Sequence, residues 1–171
     1  MIPSDHSNTS LRWLYLATQW RRLVGPNVSR VDELLYVGGQ FRPRQWPALY
    51  ALGIRAVLSL QAERADRFAG PPPERAHRLL VPDFHAPTLE QLREAVDFIA
   101  AAHARRLPVL VHCHAGVGRA PLTAAAYLVA CGSSADEALA RIRRARPIIA
   151  LNPAQRARLL EWQERVQQAD R

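Results

Sequence analysis

Apolar positions along the chain change period repeatedly, and each change marks a predicted element. Trp13, Leu16, Trp20 and Leu23 fall at helical spacing, so residues 11–24 are expected to form a short helix after a loose tail over residues 1–10. Residues 33–38 (ELLYVG) read as a strand, and residues 43–52 as a short helix stopped by Gly53. Two further strands are predicted over residues 55–60 (RAVLSL) and 77–81 (HRLLV). Thr88 with Gln91 forms a capping box, opening a helix that runs to about Arg106. Residues 108–113 (PVLVHC) are the most apolar strand, and a glycine-bearing loop leads from them into a helix ending near Ala130. Ser134 with Glu137 is a second capping box, for a helix that stops before Pro147, and Asn152-Pro153 opens the last helix. Strands alternating with helices predict an α/β three-layer sandwich. Its central sheet is expected to be largely parallel, with four to five strands flanked by helices. Residues 1–26 are read as a tail and short helix, and residues 27–171 as one folded domain.

Composition narrows the possibilities. With 171 residues, 49% hydrophobic and 22% charged, the chain fits a single globular domain with a real core. Two cysteines make no disulfide framework, and no apolar run approaches the ~20 residues of a membrane span. No secretory signal is visible, so a cytoplasmic location is expected. All 23 basic residues are arginine, which excludes Schiff-base, Walker-A and kinase-type lysine chemistry. The net charge of +8 accompanies 28 alanines, as coding bias would produce. No basic cluster interleaved with aromatics points to nucleic acid.

The chemistry concentrates in His112-Cys113-His114-Ala115-Gly116-Val117-Gly118-Arg119. A loop leaving the end of a parallel strand and entering a helix N-terminus aims backbone N–H groups at one spot, which suits an anion. Gly116 and Gly118 permit the tight path, and the Arg119 fork can grip two oxygens. Dipoles at that spot stabilise the thiolate of Cys113, which becomes a nucleophile towards a bound phosphate. His112, Cys113 and His114 lack the further ligand spacing that would complete a metal site, so no metal or cofactor is expected.

These residues resemble the signature loop of the cysteine-dependent protein tyrosine phosphatases, most closely the small dual-specificity branch. The resemblance extends to Val81-Pro82-Asp83-Phe84-His85-Ala86-Pro87-Thr88, which looks like that family's general-acid loop, and to Leu35–Gly39, Ser59-Leu60 with Glu63, and Arg146-Pro147 with Gln155. It covers about residues 27–166 and implies a protein tyrosine phosphatase-like fold. It further implies Cys113 as nucleophile, Arg119 as the phosphate and transition-state ligand, and the backbone of His114, Ala115, Gly116, Val117 and Gly118 as the phosphate cradle. Asp83 would be the general acid and then the base. His112 would support the thiolate from beneath, and Gln155 would position the hydrolytic water.

The implied substrate is a phosphorylated protein or peptide, with phosphotyrosine first and phosphoserine or phosphothreonine in addition. Phosphate, vanadate or sulfate-type anions would bind the loop, and no membrane partner is expected. Ala120 departs from the serine or threonine that most of the family carries after the signature arginine. Alanine occurs there in the phosphatases of regenerating liver, whose run is repeated over Gly116–Pro121, and it implies slow hydrolysis of the phosphoenzyme. Lipid-directed members tend to carry lysine in this loop, whereas this chain has none and places His114 after the cysteine. A phosphoinositide phosphatase and a low-turnover phosphate-binding module are the rival readings. His85, Cys131, Arg42, Arg44, Arg143, Arg144 and Arg146 are read as solvated or simply packed side chains, with the arginines at most rimming the site.

Overall fold

The computed structural model describes residues 25–169, so the helix and tail expected over residues 1–24 lie outside the described residues. Five strands form one sheet in the order β1-β2-β5-β3-β4, with β1 at Val28–Arg30, β2 at Leu35–Gly38, β3 at Ala56–Gln61, β4 at Arg75–Val81 and β5 at Val109–His112. β1 pairs antiparallel with β2, and every other pair is parallel. The α/β sandwich with a largely parallel sheet is therefore the observed architecture. β1 was not expected. It is three residues long and only partly buried, so it carries no period that could betray it. The strand expected from residue 33 begins at Leu35, because Asp32 Oδ1 accepts from the N–H groups of Leu34 and Leu35 and folds a turn there.

Among the described residues five α-helices flank the sheet or pack on the helices that cover it: α1 (Trp46–Ala51), α2 (Leu89–Ala104), α3 (Arg119–Ala130), α4 (Ala135–Ala145) and α5 (Pro153–Ala169). The capping boxes read at Thr88/Gln91 and Ser134/Glu137 are both formed. The helix expected over residues 43–52 is instead a 3-10 turn, Pro43–Gln45, running into α1. Gly53, at a φ of 93°, lets the chain reverse after it.

Two apolar clusters divide the faces of the sheet. The larger gathers Leu35, Val37, Leu58, Leu60 and Val111 with α2, α3, Leu139, Ile142 and Trp162. The smaller sets Tyr36, Val57 and Leu110 against Phe41, Trp46, Leu49 and Ile54. α3 is buried along almost its whole length, with Leu122, Ala124, Ala125 and Ala126 fully shielded. Its alanines let α2, α4 and α5 approach closely, and Trp162 Nε1 donates to Ala126 O at 3.0 Å. That central seating fixes where the N-terminus of α3 points. Truncating Leu122→Ala should cost about 2–5 kcal/mol in urea denaturation, while Leu160→Ala, on an exposed face of α5, should cost under about 1 kcal/mol.

Candidate active site

β5 ends at His112, and α3 starts at Arg119. The intervening loop hydrogen-bonds outward through four successive carbonyls. His114 O accepts from Gln40 N–H at 2.9 Å and Val117 O from Ala150 N–H at 2.9 Å. Between them, Ala115 O accepts from Arg146 Nη2 at 3.1 Å and Gly116 O from Arg146 Nε at 2.6 Å. In a trans peptide the following N–H points opposite to the carbonyl, and no peptide among the described residues is cis. The N–H groups of Ala115, Gly116, Val117 and Gly118 are thereby turned towards the inside of the loop, where Cys113 sits. The Gly116 N–H donates to Cys113 Sγ at 3.3 Å. A buried thiol under converging N–H dipoles is the anion nest that the spacing predicts.

Arg146 is a correction to the sequence reading. It is not a solvated or rim arginine. It is buried, and its Nη1 and Nη2 also donate to Ser29 Oγ and Asn27 Oδ1 at 3.3 and 2.9 Å. Its position at the end of an amphipathic helix gave no sign of this, because the acceptors lie far away in the chain. Cys131, expected to be packed, is exposed at the end of α3.

Arg119 is fully buried and held along one edge. Its Nη1 donates to Val81 O at 2.6 Å, Leu60 O at 3.3 Å and both Glu63 carboxylate oxygens at 3.1 Å. Burial pushes the Glu63 carboxyl up, but its own backbone N–H, the Arg119 guanidinium and the Asp83 backbone together hold it below the usual carboxylate range. The Glu63 carboxylate therefore stays ionised down through mildly acidic pH. Nη2 lies 2.9 Å from Asp83 Oδ1, an ion-pair contact without hydrogen-bond geometry. The Nε and Nη2 donors are thus buried with no hydrogen-bond acceptor among the described residues. They form the edge of the guanidinium suited to two oxygens of one anion.

Asp83 stands on the loop between β4 and α2, beside Phe84, which adopts a left-handed backbone at φ 62°. The N-terminus of α5 clasps this loop. Asn152 Nδ2 donates to Phe84 O at 2.7 Å, Gln155 Nε2 to His85 O at 3.1 Å, and Arg158 Nη1 to Pro87 O at 2.8 Å. Both ends of the Gln155 amide are engaged, since its Oε1 accepts from Asn152 N–H at 3.2 Å. Gln155 therefore holds the acid loop in this structure rather than standing free for a water. His112, expected to support the thiolate from beneath, is buried at the end of β5, and its bond goes to Asp66 Oδ2, 2.8 Å from Nε2, and not to the sulfur. Its ring packs on Phe41. Asp66 escaped the sequence reading because nothing in a polar β3–β4 loop marks one aspartate as the partner of a buried histidine.

Asp83, Phe84, Cys113, His114, Arg119 and Gln155 line one cavity of about 540 Å³. Among the described residues no cluster of His, Cys, Asp and Glu could hold a metal ion. Both loop glycines are needed sterically. A Cβ on Gly116, at φ 70°, would meet the Gly38 backbone at 2.5 Å, and one on Gly118 would meet Gln155 Oε1 at 2.7 Å. Gly116→Ala should abolish vanadate binding, measured by titration. Gly118→Ala should weaken it by a smaller factor, because a side chain can yield where a backbone cannot.

The comparisons agree with this geometry. The family model for the dual specificity phosphatase catalytic domain matches residues 35–165. Dual specificity protein phosphatase 12 of Homo sapiens is 34% identical over 160 residues, covering 86% of this chain and 46% of that protein. Dual specificity protein phosphatase 4 of Rattus norvegicus is 30% identical over 166 residues, covering 96% of this chain and 41% of that protein. The chain thus spans less than half the length of these curated relatives. Among solved structures, PTPMT1 in complex with PI(5)P superposes with a TM-score of 0.76 at 25% identity, covering 84% of this chain and 99% of that one. Tk-PTP in the active form gives 0.73 at 28% identity, covering 82% and 98%. With its sheet, its cysteine loop and a match over most of its length, the chain belongs to the dual specificity phosphatase family.

Proposed function

We propose that the chain hydrolyses phosphomonoesters, phosphotyrosine first and phosphoserine or phosphothreonine in addition, through a phosphocysteine intermediate and without a metal ion. The observation that carries this reading is the set of four outward-bonded carbonyls, which turns a row of N–H groups onto the Cys113 thiol beside the Nε/Nη2 edge of Arg119, whose donors make no hydrogen bond among the described residues. A phosphate dianion on that edge and those N–H groups presents its phosphorus to Sγ. The thiolate attacks, the S–P bond forms and the P–O ester bond breaks. Asp83, on the wall of the same cavity, gives its proton to the departing oxygen. In the second step Asp83 takes a proton from water, the water oxygen attacks phosphorus, and the thiolate leaves with inorganic phosphate released. Exposed Phe84 at the cavity mouth offers a face to the phenol ring of phosphotyrosine. A thiol nucleophile suits a reducing compartment, and we place the protein in the cytoplasm on that ground. The domain is taken to begin at Asn27, whose buried side chain already holds Arg146.

A second reading has one observation in its favour: the structural neighbour PTPMT1 was solved with PI(5)P. Faster turnover of soluble phosphoinositides than of phosphotyrosine peptides would establish that reading in place of the first.

Hydrolysis of para-nitrophenyl phosphate tests the chemistry. Cys113→Ser and Arg119→Met should lower kcat/KM by about a thousandfold or more, Asp83→Ala should lower kcat by about a hundredfold, and a chelator should change nothing. Activity that survives Cys113→Ser, or that a chelator removes, would exclude the mechanism.

Ala120 makes a kinetic test possible. It is fully buried in the first turn of α3, and Thr123, the nearest candidate to supply a hydroxyl, donates instead to Arg119 O at 2.9 Å. Ala120→Ser should raise the steady-state rate several-fold more than it raises the initial burst in stopped-flow traces. Equal effects on both phases would contradict slow dephosphorylation.

A further inference from the structure

The segment between β3 and β4, residues 62–74, touches both ends of the cysteine loop. Glu63 accepts from Arg119 Nη1 at 3.1 Å, at the residue where that loop enters α3. Three positions on, Asp66 Oδ2 lies 2.8 Å from Nε2 of His112, the residue where the loop leaves β5. The His112 side chain is 0% exposed and that of Asp66 12%, so this second contact is shielded from water, whereas the Glu63 side chain is 45% exposed. Phe68 seats the same segment. Its ring centroid lies 4.7 Å from that of Trp46 and 5.9 Å from that of Phe41, and Phe41 in turn lies 5.2 Å from the His112 imidazole. Trp46 Nε1 also donates to Pro71 O at 2.6 Å. The contact between Asp66 and His112 therefore joins a seated segment to a buried ring.

An ionised carboxylate only accepts hydrogen bonds, so the proton between the two groups stands on His112 Nε2. Nδ1 is buried with no hydrogen-bond partner among the described residues. A proton there would be a buried N–H without an acceptor, which folded proteins avoid more strictly than a bare lone pair. We propose that Asp66 is a positioning residue of the reaction: it fixes His112 as the imidazole protonated on Nε2 alone, pins the ring, and through the ring holds the end of β5 that Cys113 follows. The inference rests on the proposed phosphatase chemistry and deepens it. The effect falls on the nucleophile rather than on anion binding, because the anion's ligands have other supports. Gln40, Arg146 and Ala150 hold the carbonyls that aim the cradle N–H groups, and Leu60, Glu63 and Val81 hold the plane of Arg119. A ring released from Asp66 can turn about its side-chain torsions, and a small displacement of the thiol slows its attack on phosphorus.

Para-nitrophenyl phosphate turnover by the full chain tests this role, with thermal unfolding followed for every variant. Asp66→Ala should lower kcat about tenfold and leave KM within about twofold. Asp66→Asn, whose amide oxygen still accepts from Nε2–H, should recover most of the lost kcat. In the His112→Phe background, which has no imidazole to fix, adding Asp66→Ala should lower kcat no further. A loss that falls on KM, an Asn variant as slow as the Ala variant, or effects that multiply in the double variant would overturn the role. Nitrogen NMR of wild-type protein with labelled histidine depends neither on activity nor on the folding of a variant. It should show His112 protonated on Nε2 and bare on Nδ1, and a proton on Nδ1 would overturn the assignment. Wild-type protein that shows this tautomer yet turns over no para-nitrophenyl phosphate would instead be a failure of the phosphatase reading itself.

Discussion

Four adjacent peptide planes must all turn the same way for this protein to hold an anion, and one buried arginine secures the middle two. Arg146 leaves the end of α4, crosses beneath the loop and donates to Ala115 O and Gly116 O. It is fastened at its far end by Asn27, just before the short edge strand β1, and by Ser29 within it. Burying a guanidinium is costly unless its donors are satisfied, and here carbonyl, amide and hydroxyl oxygens accept from it. Asn27 and Arg146 lie 119 positions apart, so the loop conformation depends on tertiary closure of the domain as well as on its glycines.

Arg119 shows the same logic on the other side of the proposed anion position. Carbonyls at the ends of β3 and β4, with Glu63, hold one nitrogen and fix the plane of the guanidinium, so its remaining edge arrives oriented. Preorganised donors stabilise a transition state without reorganising at the moment of reaction. The bond to Val81 O and the contact with Asp83 also couple the acid loop to the same arginine. α5 then holds that loop from the opposite side through Asn152, Gln155 and Arg158. The acid is thus held between two rigid elements, although it lies on a loop.

Much of this was legible in the sequence, for physical reasons. The β5–loop–α3 unit is local: an apolar strand, two glycines and an arginine at a helix start announce themselves within eleven residues. Capping boxes are likewise local, and those read at Thr88 and Ser134 formed. What escaped was long-range. The outward pinning by Arg146, the support of His112 by Asp66 and the clasp of Gln155 on the acid loop each join residues at least 30 positions apart. No periodicity encodes such a pair, and an arginine at a helix end looks the same in sequence whether solvated or buried. β1 was missed because a three-residue, half-exposed strand has no pattern to read.

The account stands or falls on a phosphate carried by Cys113. Rapid acid quench after mixing with a phosphotyrosine peptide, followed by proteolysis and mass spectrometry, measures it directly. The expected result is one phosphate on the peptide containing Cys113, present in the wild type and absent in Cys113→Ser, and more abundant than in Ala120→Ser. Turnover with no phosphorylated cysteine at any quench time, or with the phosphate on another residue, would contradict the account.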